Sequence, residues 1–260
     1  MKFGFKFFDM ILVRHPYTLS IKFHRNEKWF KDDYAEFKKL LGNGASEFPI
    51  KDNNPCLDDK YDYAGTLDGH YFYQDLYVAQ LIYKNNPLKH VDVGSRVDGF
   101  VAHVASFREI ELLDIRGMET PIQNVSFRQL DLMDDENIPE NYCDSISSLH
   151  AIEHFGLGRY GDTLDPDGHK KGFRNITKML KAGGWFYFSV PFGPQRIEFN
   201  AHRVFSLSYL IDMVSVDYEI VSFSYIDQGV LHPDVTLTGD KIKESCGCKF
   251  GCAIFELKKK

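Results

Sequence analysis

The chain has 260 residues, 43% hydrophobic and 26% charged, the usage of an ordinary globular protein, which excludes disordered and fibrous classes. A formal charge of -6 with a pI near 5.9 gives no general electrostatic reason to expect nucleic acid as a partner, and five cysteines, an odd number in a long chain, do not read as a secreted disulfide framework. No stretch approaches the roughly 18 uninterrupted apolar residues of a membrane helix, so a cytoplasmic protein without membrane insertion is expected.

In chain order, "MKFGFKFFDMILVRHPY" is interrupted by Asp9 and Arg14 and lacks a small-residue cleavage site, so it does not read as a signal peptide. Residues 1–86 read as an irregular and helical N-terminal extension that covers a pocket, and 87–260 as the main domain. Within the extension, "GNGASEFPIKDNNPCLDDKYDYAGTLDG" is punctuated by Gly, Pro and Asn-Asn in the way of irregular loops. "YFYQDLYVAQLIYKNN" predicts a helix with an apolar face of Phe72, Leu76, Ala79, Leu81 and Tyr83, stopped by Pro87. His70 and the aromatic run Tyr71, Phe72 and Tyr73 are candidates for the cover.

From residue 89, short strands alternate with helical stretches. "KHVDVG", "EIELLDIRG", "VSFRQLDL", "YCDSISSLH" and "WFYFSVPF" predict strands, whereas "GFVAHVASF", "KKGFRNITKMLKAGG" and "SLSYLIDMV" predict helices, the second closed by Gly183 and Gly184. This alternation predicts a parallel sheet with helices on both faces. "YEIVSFSYID" and "KFGCAIFEL" follow with no helical stretch between them, so they are expected to pair antiparallel.

Open parallel sheets bind ligands at the carboxyl ends of central strands, where the strand order reverses. "HVDV" runs straight into "GSRVDGF", which makes Gly94 to Gly99 the expected cofactor loop. Arg96 stands where a dinucleotide fingerprint needs glycine for close approach to a pyrophosphate, which disfavours NAD or FAD but not a cofactor without pyrophosphate, such as S-adenosylmethionine. Asp114, at the tip of the second strand, is placed to accept from two ribose hydroxyls, and Asp131, after the third, from an adenine amino group.

Taken together, "HVDVGSRVDGF", "LLDIRG", "RQLDL", "SISSLHAIEH" and "LKAGGWFYFSVP" resemble the successive motifs of class I S-adenosylmethionine-dependent methyltransferases. The resemblance implies an α/β, Rossmann-like fold with a seven-stranded, mostly parallel sheet whose last strand is antiparallel. It also implies cofactor contacts from Asp92, Gly94, Ser95, Arg96, Gly99, Asp114, Ile115, Arg116, Asp131, Leu132 and Leu149. A narrower likeness runs from "FPIKDNNPCLDDKYDYAGTLDGHYFYQDLYVAQ" through "GLGRYGDTLDPDGH" to "NAHRVFS". It is similar to a methyltransferase-like family of unknown function met among bacterial surface-polysaccharide enzymes, which implies a sugar, nucleotide-sugar or phosphorylated glycan acceptor in capsule synthesis.

"HAIEH" fits the His-x-x-Glu-His spacing of one class of zinc peptidases, but "DSISSLH" is strand-like and puts His150 at a strand end rather than on a helix. Within the methyltransferase resemblance, Glu153 and His154 border the meeting place of methyl donor and acceptor. Transfer to an alcohol requires an aligned nucleophile and a proton acceptor, and an imidazole titrating near 6.5 suits the second task. His154 is the first candidate base and His202 the second, with Glu153 the catalytic partner. A divalent metal (Fe, Zn, Mn or Mg) bound by His150, His154, His202 and Asp162 is the other way to lower a hydroxyl pKa, with Asp165, Asp167 and His169 in the same supply of ligands. "GLGRYGDTLDPDG" is long enough for a lid, in which Arg159 and Tyr160 can hold a phosphate or sugar. Cys246, Cys248 and Cys252 do not have a usual zinc spacing and read as reduced cysteines in a hairpin. The alternatives that stay open are a non-catalytic methyltransferase-fold scaffold, an NAD-dependent oxidoreductase and a peptidase.

Overall fold

The computed structural model describes residues 16–42, 48, 50, 56, 57, 60 and 69–260, residues 16–27 through their backbone alone. The reading of residues 1–15, and most of the loop tract between 43 and 68, lies outside the described residues. The chain divides into two compact units, Met1–Thr66 and Leu67–Lys260. The first contains helix α1 (Pro16–Leu41). There Lys60 pairs with Asp33 at 2.7 Å and lies over the Trp29 ring at 4.4 Å.

The second unit begins before the expected boundary at 86, because helix α2 (Tyr71–Asn85) packs on its sheet. Asn86, in the left-handed conformation, closes α2 by donating to the Ile82 carbonyl at 2.9 Å, and Pro87 follows. The buried face of α2 is not the expected one. Gln74, Asp75, Val78, Ala79 and Ile82 are buried, whereas Phe72, Leu76 and Tyr83 are exposed. The expectation failed because Gln74 and Asp75 are polar yet hydrogen-bonded: the Gln74 amide donates to Asp75 Oδ1 at 3.0 Å, and its oxygen accepts from Ser189 and Cys252.

The sheet is built from β1 (His90–Val93), β2 (Ile110–Asp114), β3 (Val125–Gln129), β4 (Cys143–Leu149) and β5 (Leu180–Phe192). After the small hairpin β6 (Arg196–Glu198) and β7 (His202–Val204) come β8 (Tyr218–Asp227), β9 (Val230–His232) and β10 (Gly251–Lys259). The strand order is β3-β2-β1-β4-β5-β10-β8-β9. β1 to β5 run parallel, and β10 pairs antiparallel with both β5 and β8. The antiparallel last strand is therefore as expected, but the sheet has eight strands rather than seven. The added strand, β9, returns beside β8 through a two-residue turn in which Gln228 and Gly229 both have positive φ (49° and 75°), the geometry that suits a tight hairpin.

Helices α3 (Ala102–Ala105), α4 (Gly168–Met179) and α5 (Leu207–Ser215) complete the layers. α4 ends at Met179 rather than at Gly183 and Gly184, since Leu180 is already extended and the Lys-Ala-Gly-Gly tract opens β5. Between β8 and β10 the chain also forms a short helix, α6 (Gly239–Lys243), where none was expected. Successive residues of β5 point to opposite faces. Phe186 and Phe188 join Phe173, Ile176 and Leu210 in one core, and Tyr187 joins Val78, Ile82 and Phe100 in the other. Both faces of the sheet are thus covered, and the chain leaves β1 to one side for β2 and β3, then returns beside β1 for β4. That reversal lies at the carboxyl ends of β1 and β4.

Candidate active site

Gly94 follows β1 at this reversal, with φ of 68°. Its N–H donates to the Leu113 carbonyl at 2.8 Å, and an added Cβ would stand 3.3 Å from the Ala151 side chain. The turn is braced from below by Asp92, which is fully buried and accepts from the Ser95 N–H at 3.0 Å, Ser95 Oγ at 2.9 Å and Ser147 Oγ at 2.5 Å. Ser147 is held in turn by His90, whose other ring nitrogen meets Ser145. Burial pushes the Asp92 carboxyl up to about 6, against the opposing pull of these hydrogen bonds, and drives His90 down to about 3. Asp92 therefore shapes the Gly94 turn without lining a cleft. Arg96 forks onto Asp98 at 3.0 and 2.9 Å, and both side chains are exposed, which explains how bulky residues are accommodated in a loop that favours small ones. Gly99 serves packing: an added Cβ would come within 2.6 Å of Asp75 Oδ2.

A cleft opens beside Gly94, lined by Asp114 and Asp131. Leu113, Leu130, Leu132 and Met133 give it an apolar floor, and Ile115 and Arg116 border it. Asp114 accepts from the Arg116 backbone N–H at 2.8 Å and from its guanidinium at 2.9 and 2.7 Å. Asp131 accepts from the Met133 N–H at 2.8 Å. Arg116 also lies over the Tyr160 ring at 4.4 Å.

Gly94, Arg116, His150, His154 and Tyr160 are shared with a second, larger cleft. Its walls include His70, Tyr71, Asp75, Arg96, Arg159 and His202, with Leu149 and Phe250. His154 sits at the junction. Its Nδ1 donates to the Ala201 carbonyl at 2.6 Å, which leaves Nε2 as the lone-pair nitrogen of the neutral ring, 3.8 Å from Glu153 Oε1. Burial lowers the His154 pKa, with Glu153 pulling the other way. His150 bonds Glu153 Oε1 at 2.8 Å through Nδ1. Burial works against the charged His150 ring, but Cys252 and Glu153 outweigh it and hold its pKa well above the usual range.

The structure thus brings Gly94, Ser95, Arg96, Asp114, Ile115, Arg116, Asp131, Leu132, Leu149, Glu153, His154 and His202 onto one continuous pair of clefts. The expected metal ligands do not converge. Asp162 is taken up by the loop, accepting from the Gly156, Gly158 and Tyr160 N–H groups at 2.7, 3.1 and 3.2 Å. His202 faces Glu198 at 3.3 Å and Phe250, while Asp165 and Asp167 pair with Lys171 and Lys170, and His169 bonds Tyr209. The peptidase geometry is also absent, because His150 ends β4 with φ of 53° and only Ile152–His154 forms a helical turn. Sequence reading missed Arg203, a buried guanidinium that donates to the Phe155 carbonyl at 2.6 Å and the Pro166 carbonyl at 3.1 Å and so ties together both ends of the loop between them. It also missed Gln74 and Asp75, whose polar character gave no periodic signal, and placed Cys252 only as a reduced cysteine of a hairpin.

A family profile described as "Caenorhabditis protein of unknown function, DUF268" matches residues 102–250, and its description names no polysaccharide. No curated protein matches the chain in sequence. Among solved structures, the chain is similar to the Burkholderia thailandensis 1,6-didemethyltoxoflavin-N1-methyltransferase with bound 1,6-didemethyltoxoflavin and S-adenosylhomocysteine, at 13% identity and a TM-score of 0.51, covering 95% of this chain and 91% of that one. It is also similar to the N-methyltransferase NodS of Bradyrhizobium japonicum WM9 in complex with S-adenosylhomocysteine (12% identity, TM-score 0.46, covering 74% and 89%). A third structure is an S-adenosylmethionine-dependent methyltransferase of Clostridium acetobutylicum ATCC 824 (12%, 0.46, covering 74% and 92%). The first of these likenesses, with the strand order above, shows the fold to be the Rossmann-like one of class I methyltransferases.

Proposed function

We propose that this chain, which belongs to the family described as "Caenorhabditis protein of unknown function, DUF268", is an S-adenosylmethionine-dependent methyltransferase. Its acceptor is an oxygen of a small polar molecule, a sugar, nucleotide-linked sugar or phosphorylated glycan precursor such as surface polysaccharides use. The observation that carries the reading is that Gly94, Asp114 and Asp131, from three adjacent strand ends, line one cleft that opens past His154 into a second, polar one.

The residues fit the cofactor. Asp114 and Asp131 are acceptors for ribose hydroxyls and an adenine amino group, Leu130, Leu132 and Met133 offer the ring an apolar bed, and the Gly94–Ser95 turn offers backbone to the amino-acid end. Arg116 shares Asp114 with the ribose, so its guanidinium is the group that has to give way. When bound, the cofactor supplies an electrophilic methyl group on a sulfonium. His154 Nε2 accepts the acceptor hydroxyl proton, and Glu153, 3.8 Å away, stabilises the imidazolium that results. Because burial lowers its pKa, His154 is neutral and ready at pH 7. Arg96, Arg159 and Tyr71 give the second cleft cations and an aromatic face suited to a hydroxylated or phosphorylated acceptor.

The test is transfer of labelled methyl from S-adenosylmethionine to a panel of sugars, nucleotide sugars and sugar phosphates. Label in one product class, lost in His154→Ala, is the expected result. Cofactor binding with no transfer across the panel and across nitrogen acceptors would favour a non-catalytic scaffold.

A further inference from the structure

His70, in the turn before α2, His150, at the end of β4, and Cys252, near the start of β10, can each offer one donor atom such that all lie within 4.8 Å of one another. Among the described residues this is the one group of three or more His, Cys, Asp or Glu side chains so arranged, and it is not the set expected from the sequence. We propose that these three residues form a binding site for one zinc ion at the floor of the second cleft, independent of whether the chain transfers methyl groups.

The chemistry of the donors points to zinc. Two imidazoles and a thiolate suit a borderline-soft divalent ion, and three protein ligands leave a fourth tetrahedral position. The orientation of His150 is the second, independent observation. Its side chain is 8% exposed, its Nδ1 is fixed by Glu153 at 2.8 Å, and its buried Nε2 has no partner among the described residues. A carboxylate holding one imidazole nitrogen so that the other faces a metal is the usual outer-shell arrangement of zinc histidines. Cys252 is fully buried and held by Gln74 at 3.4 Å and Ser189 at 3.8 Å. Ligand atoms around tetrahedral zinc stand about 3.3–3.6 Å apart, so the three need to close by at most about 1.5 Å, within reach of ring rotation. Binding replaces the Cys252 thiol proton by a zinc–sulfur bond and the proton on His150 Nε2 by a zinc–nitrogen bond, and both protons pass to solvent.

The test uses the full chain, stripped with EDTA and dialysed. One zinc per chain is expected by elemental analysis after titration, and cobalt in its place is expected to give a thiolate-to-metal charge-transfer band in the near ultraviolet. Cys252→Ser should abolish that band and His70→Ala should weaken zinc binding more than about tenfold, while Cys246→Ser changes neither. Failure of the wild-type protein to hold zinc, or an unaltered cobalt band in Cys252→Ser, overturns the proposal. If Cys252→Ser does not fold, His70→Ala decides, and an unchanged zinc affinity in that variant overturns it equally.

Discussion

Replacing Asp92 by Asn probes the buried network under the Gly94 turn. In the fold the Asp92 carboxyl titrates at about 6, because burial outweighs the hydrogen bonds from Ser147 and Ser95; in the unfolded chain an aspartate titrates near 3.9. Between those values the folded protein keeps a proton that the unfolded chain has lost. The stability linked to Asp92 is therefore fully present below about pH 4 and is lost as pH rises through about 6, a fall of about 3 kcal/mol. Asparagine cannot ionise, so Asp92→Asn lacks this fall. It also sets an amide N–H against one of the three donors that now meet the carboxylate, at a cost of about 1–3 kcal/mol at every pH. Urea unfolding of both proteins from pH 4.5 to 7.5 is expected to show the variant less stable at the acid end and the gap closing or reversing towards pH 7.5. Titrations of groups that do not interact with Asp92 are common to both and drop out of the difference, whereas the repulsion between Asp75 and the Asp92 carboxylate is lost in the variant and adds to the same trend. A gap independent of pH would refute the assignment of a dehydrated carboxyl at this position.

His154→Ala is expected to lower kcat by about 10²–10⁴-fold with little change in S-adenosylhomocysteine affinity, measured by steady-state kinetics and calorimetry. Since burial lowers the His154 pKa, the acid limb of wild-type kcat should fall below pH 6.5, with the plateau already reached at neutrality. Gly94→Ala places a side chain at φ of 68° and 3.3 Å from Ala151, so thermal unfolding should show a loss of about 1–2 kcal/mol together with weaker cofactor binding. Asp162→Ala removes the acceptor of three loop N–H groups. Limited proteolysis should then cut between residues 156 and 162, whereas zinc content should not change.

The convergence of Gly94, Asp114 and Asp131 on one cleft was legible because parallel strands deliver their following residues to one rim, so that the three could be placed together from strand spacing alone. The partners of those residues were not legible. Nothing local indicates that Arg116 would fold back onto Asp114, or that Ser147 on β4 would reach Asp92 on β1, since both depend on side-chain direction and strand register. The burial of α2 was misread for the same reason: Gln74 and Asp75 point inwards because Ser189, Cys252 and each other satisfy them. β9 is three residues long and lacked the length of a strand signal, though the Gln228–Gly229 turn before it was visible in the sequence. α1 opens on Pro16, itself a helix-start residue, but has no acidic residue in its first turn to strengthen that signal. The metal expectation took most of its residues from the stretch 150–169 with His202 added from beyond β5, while the histidine–cysteine group joins His150 to His70 and Cys252, far from it in the chain.

The central claim is that three neighbouring strand ends hold a nucleoside sulfonium. Calorimetry of S-adenosylhomocysteine against the wild-type protein, Asp114→Ala and Asp131→Ala tests it most directly. One-to-one binding by the wild type, weakened at least about tenfold in each variant without loss of thermal stability, is the predicted result. Wild-type protein that takes up NAD but not S-adenosylhomocysteine, or variants that bind it as tightly as the wild type, would contradict the account.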